Sequence, residues 1–209
     1  MSTSADEFTI LDQEVCELHL RWNILDDLFS EEANVEVLDE CAPTAFATIR
    51  DAFVDLVIVG ITRLVADKDH RALTLKCLAD EHQGTDLGKR LDEILTDLRR
   101  RVEPLKSHRD KRIAHHDADI TGSPRVTHPV VLPPVAKSEI EGTLEGIRDF
   151  MNEISRSRDG CENLYERIIG IGDGKDIVHC LKSALQLESL RERAWRGTPS
   201  DQLAAELRR

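Results

Sequence analysis

A chain of 209 residues that is 40% hydrophobic can bury one sizeable core, but five Phe, two Trp and one Tyr leave that core aliphatic. Eleven glycines and seven prolines are too few for a turn-dense β-sandwich or a disordered chain. Forty acids against 28 bases set the net charge at −12, a field that repels nucleic acid from most of the surface.

The opening MSTSADEFTILDQE has no basic segment followed by an apolar one, so no secretory signal is expected. The longest strongly apolar run, Leu56 to Ile61, sits between Asp55 and Arg63 and is too short to span a bilayer. Five scattered cysteines (Cys16, Cys41, Cys77, Cys161, Cys180) show no C-x-x-C spacing, which points to reduced thiols rather than a zinc site or a disulfide framework. The expected location is the cytoplasm, with no membrane partner.

Helical periodicity dominates the chain. From Phe8 to Phe29, Leu11, Val15, Leu18, Trp22, Leu25 and Leu28 recur at steps of three and four, the stripe of an amphipathic helix. A second helix is expected over about Ala45 to Ala66, apolar nearly all round in its middle and so central to a bundle. A third, shorter one lies near Leu73 to His82, with Thr74 as its cap, before the turn at Gly84 and Thr85. Thr85 or Asp86 opens a fourth helix, with Leu87, Leu91, Ile94, Leu95, Leu98 and Val102 on one face and an interruption or kink at Pro104.

Ala118 to Ala136 holds four of the seven prolines and reads as a long connecting loop, with RVTHPVV its one strand-like stretch. Ser138 and Glu141 make a capping box for a fifth helix to about Ser157, striped by Ile140, Leu144, Ile147, Met151 and Ile154. Further helical stretches follow around Gly170 to Gly174, and the chain ends in a charged tail. The fold class is therefore all-α. It is a helical bundle over residues 1–158 with a C-terminal helical extension, 159–209.

The segment Arg99 to His116, RRRVEPLKSHRDKRIAHH, departs from this background. Its seven bases (Arg99, Arg100, Arg101, Lys106, Arg109, Lys111, Arg112) against Glu103 and Asp110 leave the segment at +5 and the remainder of the chain at −17. A basic island in an acidic protein confines a polyanion to one place, although on charge alone a solvated helix face is the favoured reading. Asp55, Arg63 and Asp67 on the apolar second helix read as partners in a salt bridge to this island.

Within the island, Arg109-Asp110-Lys111-Arg112-Ile113-Ala114-His115 resembles the signature of the HEPN superfamily: an arginine, usually a polar residue after it, a short spacer and a histidine. More narrowly, DLVIVGITRLVADKD, ALTLKCLADE, LKSHRDKRIAHHD and KSEIEGTLEGIRDFMNEI, in that order, resemble its abortive-infection type U branch over roughly residues 8 to 158. The resemblance implies a helical bundle that usually dimerises. It further implies that such proteins are often metal-independent endoribonucleases of anti-phage or toxin–antitoxin systems, others being inactive or nucleotide-binding. It makes Arg109 and His115 the catalytic pair and Asp110 the polar residue after the arginine. RNA would be the substrate, with Arg99, Arg100, Arg101, Lys106, Lys111 and Arg112 binding it, and a possible antitoxin the protein partner.

The chemistry suits those residue types. Cutting RNA without a metal needs a base for the 2′-hydroxyl proton, an acid for the 5′-oxygen and positive charge on the phosphorane. Histidine titrates near neutrality and arginine forks two hydrogen bonds onto phosphate. No cofactor or metal is called for, and one histidine per chain leaves a proton-transfer role for a second copy to fill. Residues six apart on a regular helix lie roughly 120° apart, so Arg109 and His115 do not share a face, whereas His116 returns to within about 20° of Arg109. His116 therefore stays beside His115 as a candidate.

Two plainer readings stand alongside. Arg109 continues the stripe of Leu98, Val102 and Leu105 and could be a structural arginine paired with Asp55. The whole chain could also be a silent helical dimerisation module that binds a partner protein or nucleotide. Gly170-Ile171-Gly172-Asp173-Gly174-Lys175 only looks like a phosphate loop: Ile169 stands where a glycine should, and Asp176 where Ser or Thr should. It reads as a glycine-rich stop between helices.

Overall fold

The computed structural model describes residues 4–66, 71–110, 135–167 and 173–196. Among them are seven α-helices and one 3-10 turn, and no strand. The helices are α1 (Ser4–Phe29), α2 (Glu32–Cys41), α3 (Pro43–Ala66), α4 (Leu75–Glu81), α5 (Asp86–His108), α6 (Lys137–Asp159) and α7 (Gly174–Trp195), with the 3-10 turn at Tyr165–Arg167 between the last two. The all-α class is thus shown. RVTHPVV and most of the proline-bearing loop lie outside the described residues.

The chain forms two compact units. Unit one holds Met1–Trp22 and Ala52–Ile168, and unit two holds Asn23–Asp51 and Ile169–Arg209. In unit one, α5 and α6 are the main packed pair. Their stripes are the expected ones: Leu87, Leu91, Leu95, Leu98, Val102 and Leu105 on α5, and Ile140, Leu144, Ile147, Met151 and Ile154 on α6, are all buried. Leu11, Val15, Leu18 and Trp22 of α1 are buried in the same way. On α3, burial falls on its second half, at Val57, Ile58, Ile61, Leu64 and Val65, while Ile49 and Leu56 remain exposed. Being apolar all round does not make that helix central over its whole length.

The helix ends differ from expectation in instructive ways. Thr85 caps α5, its hydroxyl accepting from the Gly88 N–H at 3.0 Å. Thr74 stands at the start of α4 but makes no side-chain cap there; its hydroxyl lies 3.6 Å from Cys77 Sγ. The Ser138–Glu141 box does not form. α6 begins two residues earlier, with Ala136 at the N-cap and the Glu139 carboxylate accepting from the Ala136 N–H at 2.8 Å. It ends at Gly160, whose φ of 69° is the left-handed stop that glycine permits. Pro104 does not interrupt α5, which runs on to His108. Packing of Val102 and Leu105 on either side of the missing N–H holds the helix together.

A part-buried polar knot fastens the segment after α6. The Asn152 side chain and the Asn163 backbone exchange two hydrogen bonds, at 2.8 and 3.1 Å. Asn163 Nδ2 donates to Asp12 at 3.0 Å, and the Tyr165 hydroxyl donates to the same carboxylate. The Tyr165 ring, 1% exposed, stacks on His19 with centroids 5.6 Å apart. Burial, with a hydrogen bond to Asp12 behind it, pushes the Tyr165 phenol far above its ordinary range.

Unit two has a smaller core. Leu28, Leu38 and Val178 form it, with Ile24, Phe29, Phe46 and Leu181 packed around them. Of the glycine-rich stretch, Gly170, Ile171 and Gly172 lie outside the described residues, and Gly174 is the first residue of α7, with Asp173 as its N-cap accepting from Lys175 and Asp176 N–H groups at 3.1 Å. No described helix is long and apolar enough to cross a membrane.

Candidate functional site

The predicted catalytic arginine sits at the end of α5. Val102, Leu105 and His108 of the last two turns are buried, which anchors that end of the helix. Beyond His108 the backbone widens into a π-turn at Arg109 and Asp110. Such a turn changes the angle per residue, so the regular 100° count does not hold across Arg109 and Asp110. Lys111, Arg112, His115 and His116 lie outside the described residues.

Arg109 is half-buried, with 26% of its side chain exposed. Its Nε and Nη2 both donate to one oxygen of Asp110, at 2.8 and 2.5 Å. Asp110, rather than Asp55, is therefore its acid. That contact uses two of the five guanidinium N–H donors and fixes the plane of the group, leaving three for another acceptor. A carboxylate in this place does for the arginine what a positioning residue does: it orients a permanent charge without removing it.

The described part of the basic island is largely paired off. Asp97, two residues before the island, takes Arg100 at 2.7 Å and Arg101 at 2.5 Å. The hydrogen bond from Arg100, then that from Arg101, holds the Asp97 carboxyl below its ordinary range. Arg101 also donates to the Gly142 carbonyl at 2.8 Å, lashing α5 to α6. Lys106 lies 3.5 Å from Glu103. Arg99 is exposed and carries no ion pair among the described residues. Asp97 was missed in reading the island, although it stands three and four residues before two of its bases, the spacing at which helix neighbours pair.

Among the described residues, neither Asp55 nor Arg63 of α3 pairs with the island. Arg63 pairs with Glu14 of α1, and Asp55 has no ion pair among the described residues. Asp67 lies outside them. Unit two has an open cleft of ≈ 370 Å³, but its lining sets Asp26, Asp27 and Glu31 against Lys175 and Lys182, a negative balance. Lys175 faces Asp27 at 3.5 Å, and Lys182 donates to the buried Asn34 at 3.1 Å. That balance repels a polyanion rather than holding one. Among the described residues, no group of His, Cys, Asp and Glu is placed to hold a metal ion.

No curated protein and no solved structure matches the chain. A family model does: that of the HEPN domain AbiU2, over residues 5–165, which takes in α1 to α6 and stops at Tyr165, ahead of α7. With a helix-only fold, the arginine-and-polar pair at the end of a long helix and a family match over most of its length, the chain belongs to the AbiU2 family, an abortive-infection branch of the HEPN superfamily.

Proposed function

We propose that the protein is a metal-independent endoribonuclease in which Arg109 and His115 act together, with His116 as the alternative histidine. One observation carries this reading: the half-buried Arg109 is oriented by its neighbour Asp110 at a π-turn, which keeps its charge and leaves donors for a phosphate. The histidine takes the 2′-hydroxyl proton. The 2′-oxygen attacks the adjacent phosphorus, the bond to the 5′-oxygen breaks, and that oxygen leaves with a proton from a second acid. The products are a 2′,3′-cyclic phosphate and a 5′-hydroxyl end. A second copy of the chain supplies the second histidine, so the active species is a homodimer, and the setting is anti-phage defence or a toxin–antitoxin pair.

Total RNA incubated with the purified protein in EDTA tests the proposal, beside Arg109→Ala, His115→Ala and His116→Ala. Cleavage in EDTA, reduced on the order of 10²-fold or more by Arg109→Ala and by one of the two histidine changes, is the expected result. Equal activity in all four proteins, or none in any, overturns it.

A second reading has its own support. Asp97, Glu103 and Asp110 between them pair with Arg100, Arg101, Lys106 and Arg109, which weakens the field offered to RNA. A silent dimerisation module binding a protein or nucleotide would have such an island. Salt-sensitive RNA or nucleotide binding without cleavage would favour it.

A further inference from the structure

α7 carries two apolar faces, and only one is used. Val178 is buried and Leu181 is packed with it against Leu28 and Leu38. On the other face Ile177, Cys180, Ala184, Leu187, Arg191 and Ala194 follow one another at steps of three, four, three, four and three, and all are exposed. Trp195, beside the end of this row, is 92% exposed, Leu187 55% and Ile177 40%. Single exposed apolar side chains are ordinary. A row of them at the coiled-coil spacing, along a helix roughly 30 Å long, is the seam by which one helix packs on another.

We infer that this seam pairs antiparallel with the same seam of a second copy of the chain. The spacing fixes the kind of occupant: an average step of 3.5 residues keeps a seam in register only against another helix. The charges choose the copy and its direction. Acids, Asp173 and Asp176, stand at the first turn, and Arg191, with no ion pair among the described residues, sits in the seam near the other end. Lys175, the one base of the first turn, is turned toward Asp27 at 3.5 Å. A parallel pair would set Arg191 against its own copy and Asp176 against its own. An antiparallel pair brings each Arg191 to the other helix's acidic first turn. In that arrangement Ile177 lies beside Leu187 of the second copy, and Cys180 beside its Ala184.

The inference does not rest on the ribonuclease reading, because α7 lies beyond the family match and the test contains no RNA. The full-length protein is sedimented at tens of micromolar beside Leu187→Glu, with circular dichroism confirming unchanged helix content; Leu187 is exposed, so the substitution spares the core. The expected result is a twofold lower mass for Leu187→Glu, whether the wild type is a dimer or a larger assembly that also pairs elsewhere. Equal masses, or a monomeric wild type, overturn the seam. Mild oxidation then tests direction. Ala184→Cys is expected to gain an intermolecular Cys180–residue 184 disulfide by peptide mapping, absent from wild type, whereas a Cys180–Cys180 disulfide in wild type overturns the antiparallel arrangement.

Discussion

Unit one and unit two are made from the same kinds of helix, and α1 and α3 contribute residues to both, yet they are held in different ways. Unit one buries continuous stripes on α5 and α6 and ties its last segment down with the Asp12–Asn163–Tyr165 knot. Among the described residues, only Leu25, Leu28, Leu38, Val178 and Leu190 of the buried apolar side chains fall in unit two. Burial of apolar area is the main favourable contribution to folding, so the difference is one of stability as well as size. The candidate arginine is rooted in the well-filled unit, whereas the unused apolar seam belongs to the sparse one. A site that must hold a guanidinium in one orientation needs a rigid foundation, and a surface that waits for a partner does not.

Core truncation gives the largest test of this contrast. Phe150 on α6 and Leu38 on α2 are both fully buried. Phe150→Ala is expected to cost ~3–5 kcal/mol and to lower the urea midpoint of α5 and α6 together. Leu38→Ala should cost ~2–5 kcal/mol, with faster amide exchange confined to α2 and α7. If Leu38→Ala speeds exchange equally in α5 and α6, the two units unfold as one block and the contrast fails.

The next effect is specific to unit one and depends on pH. His19 is 5% exposed, and its Nε2 has no hydrogen-bond partner among the described residues. Burial lowers its pKa from 6.5 to about 4; Glu166 and the Leu144 carbonyl oppose the shift, and Arg148 adds to it. As pH falls through 6.5, the unfolded chain takes up this proton and the folded one does not. The contribution of His19 is therefore complete above 6.5 and is lost between there and about 4, by up to ~3 kcal/mol. Urea midpoints measured at neutral pH and near pH 4.5 check it: His19→Phe should lose less stability across that interval than wild type. An identical loss would show that other groups set the acid sensitivity.

Much of unit one was legible because periodicity is a local signal. Every large apolar position read on α5 from Leu87 to Val102, except the half-buried Ile94, is buried. α2 escaped notice because only Asn34 and Leu38 of its ten residues are buried, and one apolar residue makes no stripe. The polar knot escaped for another reason: Asp12 and Tyr165 are 153 residues apart, and no spacing rule joins them. The arginine and its acid partner were legible as neighbours, but the π-turn that carries them was not, since it reflects how the end of α5 relaxes rather than a residue preference. The histidines of the motif lie outside the described residues; His115 comes from the resemblance and His116 from the helical count.

The smallest expected effect compares one glycine from each unit. A Cβ on Gly60 of α3 would come within 2.8 Å of Leu18 Cδ1, the far end of a side chain that can swing aside. A Cβ on Gly174 would meet the Ile24 backbone carbonyl oxygen at 2.8 Å and Asp27 Cβ at 2.6 Å, neither of which can move without shifting α1. Gly60→Ala therefore sets a helix-propensity gain of roughly 0.5–1 kcal/mol against a small repacking cost and should leave the melting temperature nearly unchanged. Gly174→Ala should destabilise by about 1–3 kcal/mol, with the added exchange appearing in α2 and α7 and not in α6. The pair sharpens the contrast, because a fuller core absorbs an added methyl group through side chains, whereas the sparse unit depends on a close approach of backbones. If Gly60→Ala proved the costlier change, the packing of unit one would be the more brittle of the two.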